Sequence, residues 1–286
     1  MSNVFISGAA RGIGFALAEN LASHGWTVYT GYHTDDQRCL IEASEHPLIP
    51  IQCDVANQAS VERAAAAVSQ NLGTSGLDLL INNAGITAAY GALEVIDIER
   101  FQYLFEVNMW GALRTVQAML PDIKRSTKPR IINICSASVY VTVPLGSPYP
   151  VSKVALKSLT AHLRMELMPF GIEVTSLDPG GVNTELTQFS QQESSNLWAA
   201  FSDESRGNYQ KHFMVPGEAL ADGFDFMPVE AFSDLVYKKI VCAKRLKPDY
   251  IIGKNVAMLP ILGRFLPRAI HERIFLKLFK VNLKAV

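Results

Sequence analysis

The sequence predicts an α/β fold: a doubly wound parallel sheet with helices on both faces, in a single domain. Three observations predict it. Short apolar runs alternate with segments of helical period. The runs hold too few polar residues to leave either face in water, the mark of strands buried on both sides. The chain has 286 residues, 49% of them apolar, with a mean hydropathy of +0.14, enough to bury one large core.

The elements follow in order. Val4, Phe5 and Ile6 make a first strand that runs into a glycine turn. Residues 13–24 read as a helix, with Ile13, Leu17 and Leu21 four apart and Gly25 as the stop. Strands are expected at 27–32 and 48–53, an alanine-rich helix at 61–72, and a fourth strand at 77–81. A helix over 101–119 and a strand over 130–135 come next. Leu156, Leu159, Leu163 and Leu167 then mark a long helix that ends at Pro169, Phe170 and Gly171. A strand at 172–176 closes this core, which spans residues 1–184. Residues 185–228 break the rhythm with polar tracts and scattered aromatics, and a connection of that length reads as a substrate lid in the same domain. Residues 229–286 hold a helix at 229–243, a last strand at 250–252, and a basic amphipathic tail.

Composition narrows the function. A formal net charge of −1 argues against a nucleic-acid partner. The 4 cysteines form no C-x-x-C pair, so no metal site is expected and the thiols read as reduced. The first strand begins so near Met1 that no targeting peptide is expected, and no run approaches the roughly 20 apolar residues of a membrane span. A cytoplasmic protein is therefore expected. Charge is unevenly spread, with 12 Lys/Arg and 2 acids after residue 237. In the tail, Leu262, Leu266, Ile270, Ile274 and Leu278 recur every four residues with Arg264, Arg268, Arg273, Lys277 and Lys280 between them. The favoured reading is a helix packed on its own domain or on a partner subunit. The other is a peripheral contact with an anionic membrane.

Four motifs carry chemistry. Ser7-Gly8-Ala9-Ala10-Arg11-Gly12-Ile13-Gly14 follows the first strand and opens the first helix, so its N–H groups and dipole suit a pyrophosphate in a Rossmann-type site. Asn82-Asn83-Ala84-Gly85 ends the fourth strand. Ser136 follows the 130–135 strand, and Tyr149-Pro150-Val151-Ser152-Lys153 opens the long helix. Pro179-Gly180-Gly181-Val182-Asn183-Thr184 follows the next strand. Tyr149 and Lys153 are i, i+4 and share a helix face. A tyrosine with its usual pKa of about 10 transfers protons poorly at neutral pH, and an adjacent ammonium favours the phenolate. Ser136 can donate a hydrogen bond to an oxygen that gains charge. Ser138 and Tyr140 are nearby hydroxyls off this spacing.

This constellation resembles the short-chain dehydrogenase/reductase family in its compact single-domain branch, firmly over residues 3–184. The resemblance implies a hydride transfer with Tyr149 as acid/base and Lys153 also holding the nicotinamide ribose. Asn108 matches the family's asparagine that passes protons through a bound water. Asp54, with Val55 beside it, matches a residue near the adenine. Thr184 and Val182 match contacts to the carboxamide, and Asn82, Ala84, Gly85, Pro179 and Gly180 complete the cofactor set with Gly8, Gly12, Ile13 and Gly14. NAD enzymes of this fold place an acid at the end of strand two. Here Tyr32 and His33 stand there and Arg11 sits in the glycine loop, so NADP(H) is favoured. NAD(H) stays open through Asp35 and Asp36. Asp178 stands where many relatives have Asn.

The expected substrate walls are apolar: Ile86, Ala88, Tyr90, Leu93, Val141, Val143, Leu145, Leu186, Phe189, Trp198 and Phe213, with no clustered Arg or Lys. They favour a small hydrophobic substrate, a ketone or secondary alcohol of steroid, retinoid, lipid or polyketide type. The tail is similar to those of steroid- and retinol-type members, and the family implies a homodimer or homotetramer. The alternative is a catalytically silent nucleotide-sensing or scaffold protein of the same fold. The glycine spacing and the modest length argue against a sugar-nucleotide epimerase or dehydratase.

Overall fold

The computed structural model describes residues 2–87, 92–142, 144–146, 148–185, 202, 203, 207, 209, 226–254, 256–278 and 281. Val4, Phe5 and Ile6 expose no surface, so β1 (Asn3–Ile6) lies inside a sheet rather than at its edge. Gly25, with φ of 80°, returns the chain from α1 (Gly12–Ser23) to β2 (Thr27–Tyr32), which pairs parallel with β1. The same unit repeats through α2 (Asp35–Glu42), β3 (Leu48–Gln52), α3 (Gln58–Leu72) and β4 (Leu79–Asn82). α4 (Ile98–Phe105) and α5 (Gly111–Ile123) lead to β5 (Arg130–Ile134), and α6 (Pro148–Leu167) leads to β6 (Glu173–Pro179). α7 (Val229–Val236) precedes β7 (Asp249–Ile252), and α8 (Leu259–Phe265) and α9 (Arg268–Leu278) form the tail.

All seven strands are parallel, in the order β3-β2-β1-β4-β5-β6-β7. Side chains alternate between faces with a period of two. Phe5, Leu80, Ile131 and Val174 stand in register on one face and pack under α3, α5 and α6. Val4, Leu79, Ile132 and Leu177 face the other way, under α1 and α7. Both faces are therefore covered by buried apolar side chains.

A polar thread runs through this core. Thr115 Oγ1 donates to Asn82 Oδ1, Asn82 Nδ2 to Asn133 Oδ1 at 2.8 Å, and Asn133 Nδ2 to Thr160 Oγ1 at 2.8 Å. It joins α5, β4, β5 and α6, and it holds every polar atom it buries in a bond.

Several boundaries differ from expectation. The helix expected over 101–119 is α4 and α5 with a π-helical turn at Glu106–Trp110 between them. Gly111 permits this, since a Cβ there would lie 2.8 Å from a methyl of Val55. The helix expected over 229–243 is α7 followed by a π-helical turn at Tyr237–Val241. α2 was not foreseen; Asp35 and Asp36 occupy its first turn, where the dipole favours acids. The strand expected at 77–81 begins two residues later, with Leu77 already fully buried ahead of it. The strand expected at 172–176 extends to Pro179. Ala88, Tyr90, Val143, Leu186, Phe189, Trp198, Phe213 and Lys280 lie outside the described residues, as does most of the expected lid, and so do the side chains of Leu262, Arg264 and Leu278. No helix among the described residues is long and apolar enough to cross a membrane.

Asn133→Ala strands two buried partners at once. It is expected to cost about 2–4 kcal/mol, read as a lower urea midpoint at unchanged slope. A loss below about 1 kcal/mol would show that the thread contributes little.

Candidate active site

The carboxyl ends of β1, β4, β5 and β6 border a cleft of about 670 Å³. Its floor is the glycine loop. Gly8 adopts φ of 61°, and a Cβ on it would lie 2.8 Å from Ala84 Cα. A Cβ on Gly14 would lie 2.4 Å from Asn83 Nδ2, so these glycines are required by space as well as by conformation. Ser7 and Asn83 lock the loop to the end of β4. Ser7 Oγ accepts from the N–H groups of Asn83 and Ala84 at 3.1 and 3.0 Å, and Asn83 Nδ2 donates to the carbonyls of Ser7 and Gly8 at 3.0 and 2.8 Å. α1 starts in the cleft, and its N-cap Arg11 gives no side-chain cap. Its first-turn N–H groups have no intrahelical acceptor. A tight glycine cradle beneath an uncapped helix start fits a dinucleotide pyrophosphate.

The far end of the cleft belongs to β2 and β3. Tyr32, His33, Gln37, Asp54 and Val55 line it. Asp54 Oδ1 accepts from Ala56 N–H at 3.0 Å, and its Oδ2 lies 3.7 Å from His33 Nε2. Arg11 Nη1 reaches Glu185 Oε2 across the mouth at 3.1 Å.

The near end gathers a hydroxyl, a phenol and an amine. Ser136, Tyr149 and Lys153 all line it. Ser136 Oγ caps the 3-10 turn Ala137–Tyr140 by accepting from Ser138 N–H at 3.1 Å, a bond that uses a lone pair and not the hydroxyl proton. Lys153 is 3% exposed; its Nζ donates to the Ile134 carbonyl at 2.9 Å and lies 5.8 Å from the centre of the Tyr149 ring. Burial holds its pKa below the ordinary lysine value. Asn108 sits in the π-helical turn. Its Oδ1 accepts from Ile86 N–H at 2.8 Å, and its Nδ2 donates to Ile86 O at 2.9 Å and to Ser152 Oγ at 3.0 Å. It therefore clamps the loop after β4 to α6. Gly85 fits between them: a Cβ there would stand 3.3 Å from both Asn108 Oδ1 and Lys153 Nζ. The thiols of Cys135 and Cys53 also line the cleft, and desolvation pushes them up to about 11 and about 12, so both are neutral at pH 7.

Of the residues expected in the site, Gly8, Arg11, Gly12, Ile13, Tyr32, His33, Asp54, Val55, Ala84, Gly85, Ile86, Ser136, Tyr149, Lys153, Pro179, Gly180, Val182 and Thr184 line the cleft. Gly14, Asn82, Asn108, Val141 and Leu145 stand outside the lining. Asn82 points into the polar thread, and Gly14 and Asn108 shape the cleft from behind. Val141 ends a turn whose last N–H reaches back to Ser138 O at 3.3 Å. Leu145 takes φ of 64°, a left-handed conformation rare for leucine. Tyr140, set aside by its spacing, gives its hydroxyl to Asp178. Sequence reasoning missed Ser7 and Asn83, although Asn83 is the second residue of Asn82-Asn83-Ala84-Gly85. It also missed Tyr103 and Val107, apolar lining residues supplied by α4 and the π-helical turn.

A family model described as short chain dehydrogenase matches residues 2–195. Mitochondrial D-beta-hydroxybutyrate dehydrogenase of Rattus norvegicus is 31% identical over 221 residues, covering 73% of this chain and 64% of that protein, just under two thirds of its length. The NADPH-dependent 3-dehydrocapnine reductase of Ornithobacterium rhinotracheale is 26% identical over 289 residues and 97% of both chains. A crystal structure of a short chain dehydrogenase from Burkholderia cenocepacia J2315 in complex with NADP shares the fold, with a TM-score of 0.74 at 24% identity over 96% of this chain and 97% of that one.

The lowered pKa of Lys153 carries a stability prediction. A lysine whose folded pKa is depressed costs stability at neutral pH, and the cost is relieved as pH rises toward the unfolded value of about 10.4. The Tm difference between Lys153→Met and the wild type should therefore move in the wild type's favour between pH 7 and pH 10. Thermal melts at the two pH values measure it, and an opposite drift would mean the ammonium is stabilised where it sits.

Proposed function

Since the chain belongs to the short-chain dehydrogenase family, we propose that it moves a hydride between a nicotinamide dinucleotide, NADPH by preference, and a hydrophobic ketone or secondary alcohol. The observation that carries this reading is the meeting of Ser136, Tyr149 and Lys153 in one cleft above the glycine cradle. The glycine loop and the start of α1 would hold the pyrophosphate, Asp54 and Val55 the adenine side. Ala84, Gly85, Pro179, Gly180, Val182 and Thr184 would hold the nicotinamide side. When bound, the dinucleotide supplies or accepts the hydride.

The protein's part is the proton. Tyr149 gives its phenolic proton to the substrate oxygen in reduction and takes it back in oxidation. The Lys153 ammonium favours the phenolate, and having one proton on Ile134 O it keeps two others to direct at Tyr149 and a ribose hydroxyl. Ser136 donates to the oxygen on which charge develops. Asn108 holds the loop after β4 at the distance the nicotinamide needs, and its place in the π-helical turn suits the water-linked proton relay that the family implies.

NADPH is supported by the absence of a carboxylate at Tyr32 and His33 and by the presence of Arg11 in the cleft lining. Asp35 and Asp36, which left NAD(H) open, stand in the first turn of α2 and outside the cleft lining. The relative named as NADPH-dependent spans the whole chain. A hydrophobic substrate of steroid, retinoid, lipid or polyketide type is supported by Ile86, Tyr103 and Val107 at the near end. Arg11 and Lys153 are the only lysine or arginine side chains of the described lining, and both are assigned to the cofactor.

We assign the protein to the cytoplasm as a homodimer or homotetramer, in three parts: a core over 1–184, a lid over 185–228 and a C-terminal part over 229–286. Exposed Trp110, Val151, Val154 and Met165 on α4 to α6 support self-association. α8 packs against the Ala137–Tyr140 turn. Ile261, Phe265, Ile270 and Ile274 on α8 and α9 are exposed among Arg268, Arg273 and Lys277, which supports adsorption to an anionic membrane beside the substrate entrance.

Two measurements test these readings. In an NADPH oxidation assay across hydrophobic ketones, Tyr149→Phe is expected to lose about 10²–10⁴ in kcat/KM at unchanged NADPH affinity, and the wild type to be at least about tenfold less efficient with NADH. Near-wild-type turnover by Tyr149→Phe would remove it from the reaction. In vesicle flotation, the full chain should partition onto phosphatidylserine vesicles more than a chain lacking residues 256–286. Equal partitioning would leave the tail with its own fold.

A further inference from the structure

Asp178 lies on β6, one residue before the cleft-lining Pro179, with its carboxylate shut off from solvent. A buried carboxylate stays charged only where it is paired and hydrogen-bonded. Its partners come from three elements. Lys157 Nζ on α6 and the Tyr140 hydroxyl both donate to Oδ2 at 2.6 Å, and Ser176 Oγ on β6 donates to Oδ1. The ammonium's remaining protons go to Tyr140 Oη at 2.9 Å and to Asp249 Oδ1 on β7 at 2.8 Å. The same ammonium lies 4.9 Å from the centre of the Tyr140 ring.

Two of these partners reach the proton chemistry. Tyr140 is the last residue of the Ala137–Tyr140 turn that Ser136 caps, and Val139 N–H bonds back to Ser136 O at 3.2 Å. Lys157 is four residues beyond Lys153 and eight beyond Tyr149 on the same face of α6. One carboxylate therefore ties the turn that presents the serine to the helix that presents the tyrosine. Neither Asp178, Tyr140 nor Lys157 lines the cleft.

We propose that Asp178 is a positioning residue: through Tyr140 and Lys157 it sets the place of the Ser136 hydroxyl relative to the Tyr149 phenol. The proposal deepens the reading of the site as an oxidoreductase and rests on it for its kinetic consequence. Burial and the adjacent carboxylate push the Tyr140 phenol up to about 12, so it stays a proton donor to Asp178 at neutral pH.

The obvious variant, Asp178→Ala, strands a buried ammonium and risks unfolding. Tyr140→Phe is milder, because it deletes one oxygen and keeps the ring over Lys157, and Asp178→Asn keeps the shape of the side chain. Both are expected to lower kcat for the ketone about tenfold or more, with NADPH affinity within about twofold and Tm within a few degrees of the wild type. Asp249→Asn cuts only the arm to β7 and should leave kcat within about twofold. Hydrogen exchange in the protein alone, read by mass spectrometry, should be about tenfold faster over residues 136–142 in Tyr140→Phe and unchanged over residues 12–23. The proposal falls if Tyr140→Phe keeps kcat within about twofold, if its NADPH affinity and Tm fall in step with kcat, or if its exchange over 136–142 is unchanged. A wild type that reduces no carbonyl would sink the oxidoreductase reading instead, and the exchange measurement would still decide the positioning role.

Discussion

The site is organised around the Lys153 amine, which the protein buries where desolvation disfavours its charged form. Lys153 is almost fully enclosed, its Nζ donates to a backbone carbonyl, and among the described residues no carboxylate stands within ion-pair distance of it. Lys157, one turn further along α6, is the opposite case. It is bonded to two carboxylates and a phenol, and its pKa is raised. Two lysines with the same chemistry and the same helix thus have opposite electrostatic fates. The positive charge of Lys157 is spent on Asp178 and Asp249. Lys153 makes no such pair, and its Nζ lies 5.8 Å from the centre of the Tyr149 ring.

Keeping that amine in place constrains its surroundings. The Ile134 carbonyl that receives its proton is the last of β5, so β5 must end level with the first turns of α6. Gly85 fits closely here: a Cβ would stand 3.3 Å from both the Lys153 amine and the Asn108 carboxamide oxygen, which would have to yield by a few tenths of an ångström. Asn108 in turn bridges the loop after β4 to Ser152, the residue before Lys153. The glycine loop is held from the same side, through Ser7 and Asn83. Sheet order supplies the rest. The chain crosses from β3 at one edge back past β1 to β4, and the carboxyl ends on either side of that crossing diverge to leave the cleft.

This explains what could be read from the sequence and what could not. Glycine positions, the Tyr149–Lys153 spacing and Ser136 are local patterns whose geometry follows from backbone freedom and helix period, and they stand in the cleft. Asn82 is the last residue of β4 and Asn83 follows it, and the two side chains go to different partners. Which one enters the polar thread depends on Asn133 and Thr115, 51 and 33 positions away, which no local pattern reports. The π-helical turn inserts an extra residue between α4 and α5, which no apolar periodicity reports. The Asp178 network joins residues up to 92 positions apart, and spacing arguments do not reach that far. Val141 and Leu145, expected among the substrate walls from their place after Ser136, follow the Ala137–Tyr140 turn and stand outside the cleft lining.

The nucleotide end of the cleft obeys a different balance. Arg11 and Glu185 meet there, both mostly in solvent at 58% and 66% exposure. An exposed pair of this kind contributes about 0–1 kcal/mol, so it does not hold Arg11 against a stronger anion. A phosphate offers more charge and more acceptors than one carboxylate, and guanidinium geometry favours it. His33 is similarly placed at a loose 3.7 Å from Asp54, near enough to bias and too far to bind. The far end of the cleft is therefore built from side chains with weak existing commitments. The near end, by contrast, is built from groups whose positions are fixed by burial. Such a division suits a site that must release one ligand between turnovers while keeping the geometry of its proton donor unchanged.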